Sequence, residues 1–212
     1  MHLAVFGGSF DPPHNGHLAL CLFARELLEI DRILVSVSNN PFKKNRCTAD
    51  AHRKSMAELL SLEINLTGAC CEVSGWELEK RGPSYTVELL HYVHSLYPNA
   101  RLTLLLGEDS VRELSTWKDY EQLILLCDIA VFRRASAGFS ASLTETPYRN
   151  GVLRFIDFAN PVSSSDIREL AAAGQSITRY APLSVCRYIS RHGLYRHDHD
   201  ATSTQELKHP EF

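Results

Sequence analysis

The sequence predicts an α/β fold: a Rossmann-like, doubly wound, mostly parallel sheet with helices on both faces. Two observations carry this. Short apolar or β-branched runs at 3–6, 32–37, 101–106 and 129–132 alternate with segments of helical period, as they must when each strand is followed by a crossover helix. The first run, Leu3-Ala4-Val5-Phe6, is continuous rather than alternating, the pattern of a strand covered on both faces. With 212 residues, a single domain over 1–196 is expected, and the polar stretch 197–212 is expected to be a disordered tail.

The opening unit organises the rest. After Phe6, Gly7 and Gly8 end the strand where a side chain would block the approach of a ligand to the backbone. Asp11, Pro12 and Pro13 make a rigid turn, and a helix of period Leu18, Leu20, Leu22, Phe23, Leu27, Leu28 follows over about 16–29. Strand, glycine turn and helix start form an anion site in that order, because free backbone N–H groups and the helix dipole converge there. His14 and His17 lie three apart at that start, so both rings can face one anion; the plainer reading is a pair of surface histidines.

The second strand, 32–37, leaves the sheet through Ser38-Asn39-Asn40-Pro41-Phe42-Lys43-Lys44-Asn45-Arg46. This basic loop is either solvated or, since ligands bind at the carboxyl ends of strands in open α/β sheets, a source of point cations for phosphate. An amphipathic helix is expected over 50–62, with Arg53 either a substrate contact or a surface residue. A third strand is expected over 68–73, then a helix capped by Ser84 that offers the N–H groups of Tyr85 and Thr86 to an anion. Strand 101–106 ends in Gly107-Glu108-Asp109-Ser110, where Asp109 suits either a ribose hydroxyl or a helix cap. Trp117 is core, or an indole for stacking on a flat ring. After the strand at 129–132, residues 135–150 read as an irregular excursion, and 152–158 as the last strand. Ser163 and Asp166 form a capping pair before a helix ended by Gly174, with the hydroxyls of Ser164 and Ser165 at its start. Arg168, a turn further in, can grip phosphate bidentately. A last amphipathic helix spans 183–192.

Composition narrows the function. A formal net charge of −3 argues against a general nucleic-acid or membrane-surface binder, and 44% hydrophobic with 22% charged residues is ordinary for a globular domain. No apolar run approaches the ~18 residues of a membrane helix and no cleavable leader is visible, so a cytoplasmic location is expected. None of the six cysteines forms a CxxC pair, and most lie in apolar segments, which suits reduced core thiols. Cys47, in the polar loop, is expected to be the most reactive. No resident metal site is expected, the His-Asp alternation of the tail being read as solvated, and homo-oligomerisation is left open.

The stretch GGSFDPPHNGH resembles the (T/S)FDxxHxGH signature of the nucleotidyltransferase superfamily. Together with GPSYTVELL, GEDSVRELSTW, VSSSDIR and YISRHGLY, it makes the chain from Met1 to about Tyr195 similar to the bacterial nicotinate-nucleotide adenylyltransferases. The resemblance implies adenylyl transfer from ATP, with Mg²⁺, to nicotinate mononucleotide. It implies catalytic roles for His14, His17 and Arg168, and ATP contacts from Gly7, Gly8, Ser9, Phe10, Lys43, Lys44, Gly107, Asp109, Ser164 and Ser165. Asn39, Tyr85, Thr86, Trp117 and Lys118 would receive the mononucleotide. Two departures stand out. The family's PNxxPPHK loop is here SNNPFKKN, leaving open which of Lys43 and Lys44 meets phosphate. Lys118 also replaces a second aromatic residue, so only its backbone N–H is carried over. The rival readings are an adenylyltransferase for another phosphorylated small molecule, such as phosphopantetheine, and a nucleotide-binding regulatory module without transfer.

Overall fold

The computed structural model describes residues 1–39, 47–133, 143–148, 151–157 and 162–196. Lys43, Lys44 and the tail lie outside the described residues. The chain runs β1 (His2–Gly8), α1 (Asn15–Leu27), β2 (Arg32–Val37), α2 (Asp50–Asn65), β3 (Cys71–Ser74), α3 (Trp76–Glu79), α4 (Thr86–Leu96) and β4 (Arg101–Gly107). There follow α5 (Glu108–Arg112), α6 (Tyr120–Leu126), β5 (Asp128–Arg133), β6 (Leu143–Tyr148), β7 (Gly151–Asp157), α7 (Ser164–Ala172) and α8 (Leu183–Arg191).

The strands form one sheet in the order β3-β2-β1-β4-β5-β7-β6, parallel throughout except for the antiparallel β6. The chain winds outward from β1 through β2 to β3, then returns to place β4 on the other side of β1. The strand order therefore reverses between β1 and β4, and a crevice opens at their carboxyl ends.

Both faces of the sheet are covered, as the continuous apolar run at 3–6 requires. Ala4 and Phe6 face α1 (Leu20, Cys21, Ala24) and α2 (Ala57, Leu60, Ile64). Leu3 and Val5 point the other way, into a cluster with α4 (Val87, Leu90, Val93) and α6 (Leu123, Ile124). Each buried Val, Leu, Ile or Phe side chain among these contributes about 1.5–3 kcal/mol relative to exposure. A third cluster packs Ile167 of α7 and Val185 and Ile189 of α8 onto Met56 of α2, bringing the α7 N-terminus back to the opening turn.

Three local expectations change. Residues 143–148, expected as irregular, form β6, paired along β7 from Leu143↔Ile156 to Tyr148↔Gly151. Polar residues and Pro147 hide this strand from a periodicity reading, and both are tolerated because β6 is at the sheet edge. The third strand lies at Cys71–Ser74 rather than 68–73, and Gly68 has φ +144 in the preceding turn. Tyr85, not Ser84, occupies the cap position of α4.

All six cysteines are free. Burial pushes the Cys71 thiol up to about 11 and the Cys127 thiol up to about 12, whereas Cys47 is exposed. A thiol reagent on the native protein is therefore expected to modify Cys47 first, and Cys21, Cys71, Cys127 and Cys186 only on unfolding. Rapid native labelling of Cys127 would contradict this packing.

Candidate active site

The crevice begins at the exit of β1. A Cβ on Gly7 would meet no heavy atom within 4 Å, so this backbone is open to approach from the crevice. Gly8 is different. A Cβ there would lie 2.8 Å from the Phe10 ring, so the second glycine is required by an internal side chain rather than by a ligand. Phe10 itself has φ +50, is fully buried and packs edge-on against Phe6 at 5.6 Å between ring centroids. Its ring belongs to the core, so any nucleotide contact at Phe10 is with its backbone. The Ser9 carbonyl accepts from Arg53 Nη1 at 2.8 Å.

The two histidines are a pair. Their ring centroids are 3.7 Å apart with an interplanar angle of 31°, and His14 is only 8% exposed, so the surface-histidine reading fails. His14 is the N-cap of α1. Its Nδ1 accepts the Gly16 N–H at 3.1 Å, and His17 Nδ1 accepts the His14 N–H at 3.1 Å. This is a capping box built from imidazoles. Since each Nδ1 is an acceptor, the ring N–H of each lies at Nε2. Capping thus sets the tautomer and orientation of both rings, and Phe6 and Phe10 flank His17 at 5.7 and 5.2 Å.

Asp11 gathers the distant parts of the site. The carboxylate, 1% exposed, accepts the Cys47 N–H at 2.5 Å, the Thr48 hydroxyl at 2.5 Å and the Tyr195 phenol at 2.7 Å. Burial and the adjoining carboxylate push the Tyr195 phenol up, so it stays a donor. The Asp11 carbonyl accepts Arg168 Nη1 at 2.8 Å, and Arg168 Nη2 reaches the Ser165 hydroxyl at 3.1 Å. Ser163 and Asp166 cap α7 as the sequence predicts. The Ser164 hydroxyl donates to the Pro12 carbonyl at 2.8 Å, so this serine fastens α7 to the opening loop. Arg168 is in this way held as a half-buried cation against the same loop that carries the histidines.

Between β1, β4 and the N-terminus of α4 lies a cleft lined by Gly7, Ser38, Glu77, Thr86, Ser110 and Trp117. Trp117 is half-buried and Gly107 leads into α5, where Asp109 is exposed in the first turn. The N–H of Tyr85 is not offered to a ligand, contrary to expectation: it donates to Glu88 Oε2 at 3.1 Å. Lys118 reaches Glu88 Oε1 at 3.0 Å and lies 4.5 Å from the Tyr85 ring centroid, and Lys80 pairs with the same carboxylate. Partial burial works to raise the Glu88 pKa, but hydrogen bonds from Lys80, Lys118 and the Tyr85 N–H outweigh it and hold the carboxyl below its usual range. Asn39 donates its N–H to Glu77 Oε2 at 3.3 Å and its side-chain amide to the Gly82 carbonyl at 3.4 Å. A larger cavity of about 500 Å³ opens along another side of α7, by Leu170, Gln175 and Tyr180, and is lined by neither the histidines, Arg168 nor Trp117.

The structure brings together His14, His17, Arg168, Ser164 and Ser165 around one loop, and Thr86 and Trp117 around one cleft, with Asn39 bonded to Glu77, which lines that cleft. It adds Asp11, Tyr195 and Glu77, whose parts are set by contacts between segments far apart in the chain. Among the described residues, no cluster of three or more His, Cys, Asp or Glu is arranged to hold a metal ion, and no helix is long and apolar enough to cross a membrane.

A crevice at the strand-order reversal, with paired imidazoles at its first helix, defines a nucleotide-binding α/β transferase. The chain belongs to the cytidylyltransferase-like family, whose model matches residues 5–170. Within it, the chain belongs with the nicotinate-nucleotide adenylyltransferases. It is 57% identical over 210 residues to the probable nicotinate-nucleotide adenylyltransferase of Pelodictyon phaeoclathratiforme, covering 98% of each chain. It is 56% identical to that of Chlorobium limicola, covering 92% of this chain and 99% of the relative. Among solved structures, the nicotinic acid mononucleotide adenylyltransferase of Plasmodium falciparum, complexed with NaAD, superposes with a TM-score of 0.70. At 21% identity over 92% of this chain and 97% of that one, it supports the fold.

Proposed function

We propose that the protein joins ATP to nicotinate mononucleotide, giving nicotinate adenine dinucleotide and pyrophosphate in NAD biosynthesis. The observation that carries this is the imidazole capping box, in which backbone N–H groups hold the Nδ1 atoms of both His14 and His17, beside an Arg168 anchored to the same loop. The names of the relatives support the choice of substrate.

The mononucleotide's phosphate is anionic at neutral pH and attacks the α-phosphorus of ATP in line, expelling pyrophosphate. No protein nucleophile or strong base is needed, so catalysis is orientation and stabilisation of growing charge. His14 and His17 donate to α- and β-phosphate oxygens. Arg168, with Lys43 or Lys44, holds the departing triphosphate end, and the Ser165 hydroxyl, which accepts from Arg168, keeps its own proton to donate. Mg²⁺ arrives with ATP as part of the substrate, carried by phosphate oxygens and water. Adenosine lies along the backbone of Gly7 to Phe10 and the start of α7, with Asp109 taking a ribose hydroxyl and Gly107 giving room beside it. The pyridine ring stacks on Trp117, and its carboxylate receives the N–H of Thr86 and a neighbouring backbone donor at Lys118.

A site of N–H donors favours an acid over an amide, because the amide turns its NH₂ toward one donor and leaves it unpaired. Pyrophosphate release should be measured with ATP and a panel of phosphorylated acceptors. The expected result is a kcat/KM for nicotinate mononucleotide at least about tenfold above that for nicotinamide mononucleotide, and no turnover of phosphopantetheine. Equal efficiency with acid and amide would remove the donor-site reading of Thr86. Turnover of phosphopantetheine alone would overturn the substrate.

A further inference from the structure

Glu77 is a buried carboxylate that the chemistry above does not use. It is 4% exposed and belongs to α3, the single turn between β3 and α4. Its Oε1 accepts the Ser36 hydroxyl at 2.7 Å, and its Oε2 accepts the Ser84 hydroxyl at 2.5 Å together with the Asn39 N–H at 3.3 Å. The donors come from two segments. Ser36 is inside β2, Asn39 lies just past its carboxyl end, and Ser84 stands two residues before Thr86, the first residue of α4. One carboxylate therefore fixes the exit of β2 against the N-terminus of α4, and Ser38 and Thr86 from these same two segments line the cleft with Trp117. A buried charge carries a desolvation cost that an apolar side chain of the same size would avoid. What the carboxylate can do, and an apolar side chain cannot, is accept three hydrogen bonds at once and hold their donors in register.

We propose that Glu77 is a positioning residue for the phosphorylated acceptor: it places Asn39 and the Ser84–Thr86 segment against the mononucleotide without touching ATP. This rests on the assignment of Asn39, Thr86 and Trp117 to the acceptor. Acting at one substrate only, Glu77 should influence the two Michaelis constants unequally.

The test is steady-state kinetics of Glu77→Ala, Glu77→Gln, Ser84→Ala and Trp117→Ala, with each substrate varied in turn. Glu77→Ala is expected to raise KM for nicotinate mononucleotide about tenfold or more while leaving KM for ATP within about twofold. Glu77→Gln is the rescue. Its amide nitrogen can face Ser36, whose hydroxyl turns to accept, while its oxygen keeps Ser84 and Asn39, so all constants should stay within about threefold of the parent. Ser84→Ala removes one contact at the cost of a single oxygen and should shift the acceptor KM in the same direction by a smaller factor. That keeps the test informative even where Glu77→Ala does not fold. Equal rises in both Michaelis constants, or a rise with Trp117→Ala but none with Glu77→Ala or Ser84→Ala, would overturn the positioning role. An unchanged acceptor KM in Trp117→Ala would instead overturn the acceptor site itself.

Discussion

His17→Ala is expected to lower kcat/KM for adenylyl transfer by about 10²–10³-fold, the cost of one preorganised donor to a charge that grows in the transition state. The capping role of the ring complicates this single variant, because His17 Nδ1 also accepts the N–H of His14. Losing that cap costs about 1 kcal/mol of stability on its own. His17→Asn separates the two effects: its side-chain oxygen can replace Nδ1 as the acceptor, but nothing replaces the Nε2 proton. Both variants should lose turnover to the same extent, and only His17→Ala should melt earlier. Near-normal turnover in either would remove the imidazole from the chemistry.

Arg53→Met is expected to destabilise the fold by roughly 3 kcal/mol, read as a lower urea midpoint with an unchanged slope. Arg53 is the largest fully buried side chain among the described residues. Its Nη1 donates to the carbonyls of Ser9 at 2.8 Å and Ser38 at 3.1 Å, and its Nη2 pairs with Asp50 at 2.6 Å. The two carbonyls are the exits of β1 and β2, so one guanidinium ties together the loops that frame the crevice. Methionine fills much of the volume and satisfies neither carbonyl. Arg53→Lys should restore little, since a point cation cannot span both carbonyls and the carboxylate as a planar fork does. A midpoint within experimental error of the parent in Arg53→Met would show that the carbonyls find other partners. The same contacts answer the question left by the sequence: Arg53 is neither a substrate contact nor a surface residue, but a clamp behind the site.

Much was legible before any coordinates because it is local. The exit from β1, the helix expected over about 16–29 and found at 15–27, the strand at 32–37, the strand expected over 101–106 and found at 101–107, and the Ser163–Asp166 cap each depend on residues within a turn or two of one another. Periodicity and capping chemistry act over that range. The histidine pair was visible for the same reason, since a spacing of three at a helix start sets two rings side by side.

The parts that escaped are those whose partners lie far along the chain. Asp11 read as a turn residue, yet Tyr195 meets its carboxylate from 184 positions away and Arg168 meets its carbonyl from 157. Ser84 read as a helix cap, but a carboxylate seven residues earlier takes its hydroxyl, and that carboxylate is also bound to Ser36 in a neighbouring strand. Gly8 read as room for a ligand and is room for Phe10. A polar side chain states what it can donate or accept, and its own segment decides whether the need is met nearby. Where it is not, packing of the sheet and its helices chooses the partner, because a buried polar group left unpaired costs more than the bend that brings one to it. The fold class and the kind of chemistry were therefore written in the linear chain. Which groups hold that chemistry in place was settled by burial across the sheet.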